Sequence, residues 1–177
     1  MMAVIERKPE ELLRSAVPRQ AQLYAVVDAA RAPAGPYQAE LADLSQESLF
    51  AGDMGDRLKG VAPYVIAFPL EGPFNEWWFG EWGASAGILV EAAMTLSALR
   101  KHFRTLLMVK DDSRKRYFFR FYDPRVLRAF LPACTPDELT HFFGPITAFH
   151  CESDGGDALL TYRRKREGLD VTTRTLK

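Results

Sequence analysis

The patterning of this chain specifies an α+β fold, a single domain with a mixed β-sheet packed by several helices. Short apolar runs suited to buried strands recur along it, helix starts of the Asp-Pro and Thr-Pro kind lie between them, and the later part reads as hairpins. With 177 residues and a hydrophobic share of 47%, the chain is long and apolar enough for one domain with a proper core.

Glu10 to Val17 fits a short helix, and Gln22 to Val27 (QLYAVV) a buried strand ending at Asp28. From Arg31 to Asp56 the residues are rich in Ala, Pro, Gly and Asp, with only Leu41, Leu44, Leu49 and Phe50 to pack. A loop with short helical turns is expected there. Tyr64 to Phe68 (YVIAF) is a second strand, closed by Pro69, and Phe74 to Trp82 (FNEWWFGEW) is helical, with Gly80 weakening its last turn. Gly87 to Val90 (GILV) is another strand, and Thr95 to Arg104 an amphipathic helix with Leu96, Leu99 and Phe103 on one side. Thr105 to Val109 (TLLMV) reads as a strand, and Lys110 to Lys115 (KDDSRK) as the turn of a hairpin.

Tyr117 to Leu131 (YFFRFYDPRVLRAFL) is the most sharply specified stretch. As a strand it puts Tyr117, Phe119 and Phe121 on one face and Phe118, Arg120 and Tyr122 on the other. Asp123 can cap the next helix and Pro124 suits its first position, where no amide donor is needed. Within that helix Val126, Leu127, Phe130 and Leu131 form an apolar stripe, Arg125 and Arg128 sit off it, and Pro132 discourages continuation. Pro136 to Phe143 forms a helix from the Thr135 cap to Gly144, and Ile146 to Cys151 pairs with Ala158 to Arg163 across SDGGD. The domain is expected over residues 1–164, with a polar, frayed tail over 165–177.

Positive and negative charges balance at 23 each, so no global field favours nucleic acid or an anionic membrane. At the start, Glu6, Arg7, Lys8, Glu10 and Glu11 interrupt the apolar core that a secretory signal needs. No run approaches the roughly 18 to 20 apolar residues of a membrane span, so a cytoplasmic protein without a membrane partner is expected. Cys134 and Cys151 form no CxxC pair and no zinc pattern, and read as small buried hydrophobes carrying thiols.

Gly83-Ala84-Ser85-Ala86-Gly87 matches the GxSxG pattern of a hydrolase nucleophile elbow, with Asp123 and His150 as conceivable partners. The elbow needs a strand before the serine and a helix after it, and here the order is reversed, so a small-residue turn is the simpler account. His102, His141 and His150 lack metal-ligand spacing; His150 and Glu152 could share a strand face, but two ligands are too few, and no metal or cofactor is expected.

Phe74, Trp78 and Trp82 recur every fourth residue and suit a core-facing stripe. Trp77, Trp78, Phe79 and Trp82 are together too many rings for one short helix to bury, so with Glu81 they are candidate partner contacts. Arg116, Arg120, Arg125 and Arg128 interleave with aromatics, a pattern that single-stranded nucleic acid can use. Balanced charge and the nearby Asp111, Asp112 and Asp123 argue against that use, and Arg120 is placed to pair with Asp123. Arg125 and Arg128 remain candidate contacts to partner carboxylates.

The chain resembles the type VI secretion effector adaptor or chaperone family known as Tap or Tec. The matching pieces are LYAVVDA (23–29), SLF (48–50), VAPYVIAF (61–68), WGASAGILVEA (82–92), LRKHFRTLLMVK (99–110) and above all FRFYDPRVLRAFLP (119–132). The resemblance spans residues 23 to 150 and implies the N-terminal α/β lobe of a non-catalytic, cytosolic protein. Such a protein binds a secreted effector and loads it onto the C-terminal end of a VgrG-type spike. Relatives carry a second, mainly helical lobe after this part, and its absence from this sequence implies a narrower set of contacts. A small serine hydrolase built on Ser85 is the alternative, and oligomeric state is left open.

Overall fold

The computed structural model describes residues 7–177; Glu6 and the other residues of the first six, read above against a secretion signal, lie outside the described residues. The α+β class holds. A seven-stranded sheet runs in the order β2-β3-β1-β4-β7-β8-β9, where β1 is Leu23–Asp28, β2 Gln46–Ser48, β3 Pro63–Ala67, β4 Gly87–Glu91, β7 Ala148–Glu152, β8 Ala158–Lys165 and β9 Gly168–Thr175. Each of its ladders is antiparallel, which refines the mixed sheet expected from the sequence. The order arises because β1 receives β3 on one side and β4 on the other, and the chain then adds β7, β8 and β9 outward from β4.

Helices cover both faces. On one face lie α1 (Pro9–Ala16), α2 (Gly35–Leu41) and α4 (Pro73–Gly80). Arg163 on β8 donates to the Ala16 carbonyl, and α2 comes so near that a Cβ added to Gly35 would meet Val27 and the Trp77 ring. On the other face lie α5 (Leu96–Leu106), α6 (Pro124–Phe130) and α7 (Pro136–Phe143). There the rings of Phe103, Phe121, Phe142 and Phe149 form a chain with centroids 5.1 to 5.9 Å apart. Cover on both faces explains why β1 and β4 are buried at every position, and why they read as unbroken apolar runs. At Gly87 a Cβ would run into the Val26 carbonyl, so glycine there lets β4 close on β1.

The helix starts follow the local chemistry. Thr95, Asp123 and Thr135 each accept a bond from a free first-turn amide, and Thr135 with Glu138 completes a reciprocal capping box. Among the described residues no helix is long and apolar enough to cross a membrane.

Several local expectations need correction. α5 runs on to Leu106, so the TLLMV segment supplies only the strand β5 (Met108–Lys110). It pairs with β6 (Arg116–Phe118) in a separate two-stranded ribbon. The strand expected through Tyr122 stops at Phe118; beyond it a turn closed by Asp123 N–H on the Arg120 carbonyl carries the consecutive Phe121 and Tyr122 rings inward, so both are buried outside a strand. The segment 31–56 carries α2, β2 and a short helix α3 (Gly52–Arg57). The tail expected to fray is β9, paired with β8 from Gly168 to Thr175. Its polar Thr-rich sequence hid it, since an edge strand need not carry an apolar face.

Candidate interaction surface

The aromatic helix α4 is folded inward. Trp78 is buried against Phe68 (5.8 Å between centroids), Trp77 is half-buried on Phe74, and Phe79 is half-buried between Phe68 and Trp82. The Trp82 indole N–H donates to the Gly156 carbonyl at 2.7 Å. Glu81 is half-buried, and none of these rings is freely exposed. The helix holds so many because α2, the sheet and the β7–β8 turn each take some of them.

That turn also receives the GxSxG segment. The Glu152 carboxylate accepts the amides of Gly83 (2.6 Å) and Ser85 (2.8 Å) and faces the Ser85 hydroxyl at 3.3 Å. Ser85 is buried with φ of 56°, in a turn between α4 and β4, the reverse of an elbow's order. Asp123 and His150 are engaged elsewhere. Asp123 caps α6 and binds Arg125 in a two-bond pair at 3.0 and 2.6 Å. Burial pushes its carboxyl up, yet the Arg125 guanidinium and amide hold it below the ordinary range. His150 is fully buried, bonded to Thr161 at 3.0 Å and facing Glu91 at 3.6 Å, and desolvation keeps it neutral well below its ordinary value. The conceivable triad is not assembled, in keeping with the small-residue turn expected at Ser85, and Glu152, though on the His150 face, is committed to the turn.

The two candidate arginines differ. Arg125 has a half-exposed side chain but spends its guanidinium on Asp123. Arg128 is mostly covered and binds the Glu152 carbonyl and Asp154, each at 2.9 Å. Arg128 and Trp82 thus meet across the β7–β8 turn, whereas Arg125 stands apart from them. Arg120 pairs with the buried Asp28, not with Asp123. Burial raises the thiols of Cys134 and Cys151 to about 11 and about 12, so both are inert and protonated.

Exposed apolar side chains lie elsewhere, singly on α2 at Tyr37 and Leu41 and around Met54 to Val61, and together with a cleft at the β5–β6 ribbon. The β5–β6 ribbon leaves Met108 (42%), Val109 (42%), Tyr117 (43%) and Phe118 (48%) exposed. Beside it opens a cleft of about 390 Å³, floored by Leu106, Phe119, Phe130 and Phe142 and rimmed by Asp137, Glu138 and His141 of α7. The rim acids form no ion pair among the described residues, so the mouth carries negative charge over an apolar floor, although the Glu138 carboxylate also accepts the Thr135 amide. Apolar side chains exposed on a ribbon outside the main sheet, next to an open apolar cleft, are features of a protein-binding surface. Sequence reasoning missed it because Met108 and Val109 sit in a run that reads as a core strand, and because the cleft's walls come from four separate segments around residues 105–109, 119, 130 and 137–142. The exposure of Phe118, opposite an aromatic face, was the available signal.

No curated protein and no solved structure matches the chain. A family model described as "Domain of unknown function (DUF4123)" matches residues 23–141, from the first residue of β1 into α7 and more than half of the chain. That span holds α4, the Ser85 turn, α6 and most of the cleft, and this chain belongs to the DUF4123 family.

Proposed function

We propose that this protein is a non-catalytic cytoplasmic adaptor of type VI secretion, which binds a cognate effector and delivers it to the C-terminal end of a VgrG-type spike. The family is associated with type VI secretion adaptors. The observation that carries the reading is the exposed apolar ribbon beside the cleft, which gives a cargo about 390 Å³ of apolar space with an acidic mouth. Holding a cargo before secretion calls for such a surface and for no turnover, and Ser85 is bound to Glu152 without a histidine at its hydroxyl among the described residues.

The test is co-purification of the chain with the effector and spike encoded beside it, with M108E/V109E as the cleft variant. Both substituted side chains are exposed, so the fold is expected to survive. Loss of effector from a folded M108E/V109E supports the reading. Retained effector removes the cleft from it, and failure of wild type to associate with either protein ends it.

A further inference from the structure

The outer strand of the sheet offers a backbone edge with a defined parity. The Leu176 amide donates to the Asp157 carbonyl, in register with the β8–β9 ladder, so Arg174, Thr172 and Asp170 alternate with it in pointing their backbone groups at β8. Leu169, Val171, Thr173 and Thr175 point theirs outward, and among the described residues no strand pairs with them. β9 is eight residues long with no bulge in its register and no proline, and Val171 is 46% exposed on it. Such an edge templates another strand unless it is blunted.

We propose that β9 pairs antiparallel with β9 of a second copy of this chain, centred on Thr172, to make a two-fold dimer with one continuous sheet. The charges choose the occupant and the register. Around Thr172, Val171 meets Thr173 of the second copy and Leu169 meets Thr175, so every outward backbone group is used. On the adjoining non-hydrogen-bonded positions, where side chains come closest, Asp170 lies opposite Arg174 of the second copy, and the symmetry repeats the pair. Shifting the register by two residues either way ends this opposition, and shifting by four sets Asp170 against Asp170 or Arg174 against Arg174. Arg174 makes no ion pair among the described residues. Asp170 faces Lys165 at 2.8 Å and lies across from Arg163, which is itself held by Glu91, so the Asp170 side of the edge is not left with excess negative charge. This inference does not depend on the adaptor reading.

The test is the mass of the chain in solution by sedimentation and light scattering, at roughly 0.1 mM, where a micromolar dimer is nearly all assembled. Wild type is expected at twice the chain mass. V171P removes an outward amide from an edge strand, a position where proline is tolerated, so it is expected to give a folded monomer with nearly unchanged melting. D170R and R174D are each expected to weaken the dimer about tenfold, by turning opposed charges into like ones, and D170R/R174D to restore it. A monomeric wild type overturns the proposal, as does a dimer that V171P leaves intact or a double variant that fails to restore what the single ones lost. A monomer whose V171P variant instead loses a co-purifying protein shows a foreign strand on this edge, and overturns self-pairing.

Discussion

The Arg128 guanidinium donates to the Glu152 carbonyl at 2.9 Å, joining residues 24 positions apart and fixing α6 to the end of β7. The same Glu152 turns its carboxylate to the other side and accepts the amides of Gly83 and Ser85. One residue thus ties helices on opposite faces of the sheet to the same hairpin.

Removing that carboxylate should be costly. E152A leaves the buried Ser85 amide without an acceptor, and is expected to lower the unfolding free energy by about 2 to 4 kcal/mol. E152Q keeps one carbonyl and should fall between E152A and wild type. Denaturant titration reads both, and an E152A variant as stable as wild type would show that the turn does not depend on this contact.

Acid stability should fall in two stages. His150 is neutral and buried, so its folded value lies below the ordinary 6.5. The unfolded chain protonates first, and stability present above pH 6.5 is lost as pH falls toward the folded value, by at most about 1.4 kcal/mol per pH unit. The carboxyls of Glu91 and Asp123 are also depressed: burial raises them, but His150 and Arg163 on Glu91, and Arg125 on Asp123, outweigh it. Their contribution is present above the ordinary 4.5 and 3.8 and is lost as pH drops below those values. Urea unfolding from pH 7.5 to 3 measures the profile. H150Q should flatten the first stage and, by taking His150 from Glu91, shrink part of the second, and a flat wild-type profile between pH 6.5 and 5 contradicts a neutral buried His150.

Two positions of the cleft should separate binding from stability. Phe142 is 2% exposed and stacks with Phe119, Phe121, Phe130, Phe143 and Phe149, so F142A is expected to cost about 3 to 5 kcal/mol. Met108 is exposed, and M108E should change stability by less than about 0.5 kcal/mol. Thermal melts compare them, and similar losses at both sites would mean that the ribbon is part of the core.

Ser85 should prove dispensable for chemistry. Its hydroxyl makes one 3.3 Å contact to Glu152, so S85A is expected to leave the fold intact, and the wild type to hydrolyse model esters no faster than S85A. Ester hydrolysis that disappears in S85A would reinstate a nucleophilic serine.

Much of the fold was legible because local chemistry and packing agree. LYAVV and GILV are buried on both faces, and Asp123-Pro124 and Thr135-Pro136 start helices where capping predicts. Legibility failed where the environment is asymmetric. β9 has no covered apolar face to create a period-two signal, and Arg120 found Asp28, 92 positions away, not the nearby Asp123. The α4 rings were ambiguous for a different reason: counting rings on a helix does not reveal how many neighbours will take them. For the cleft, apolar character was visible but its side was not, since exposed Met108 and buried Leu107 differ little as residue types.

The ribbon of β5 and β6 meets the body through the Phe118 ring against Phe50, while the Phe119 amide on the Leu107 carbonyl only extends the ribbon's own ladder by one rung. Its strands are three residues each and share no ladder with the seven-stranded sheet. Local opening there disturbs no other strand, so its amides should exchange with solvent far sooner than those of β1 or β4. The cleft is accordingly walled by α7 and its packed rings on one side and by a ribbon outside the main sheet on the other. If the cleft takes a cargo as proposed, segments of unequal girth would meet one wall that can yield and one that is fixed in the core.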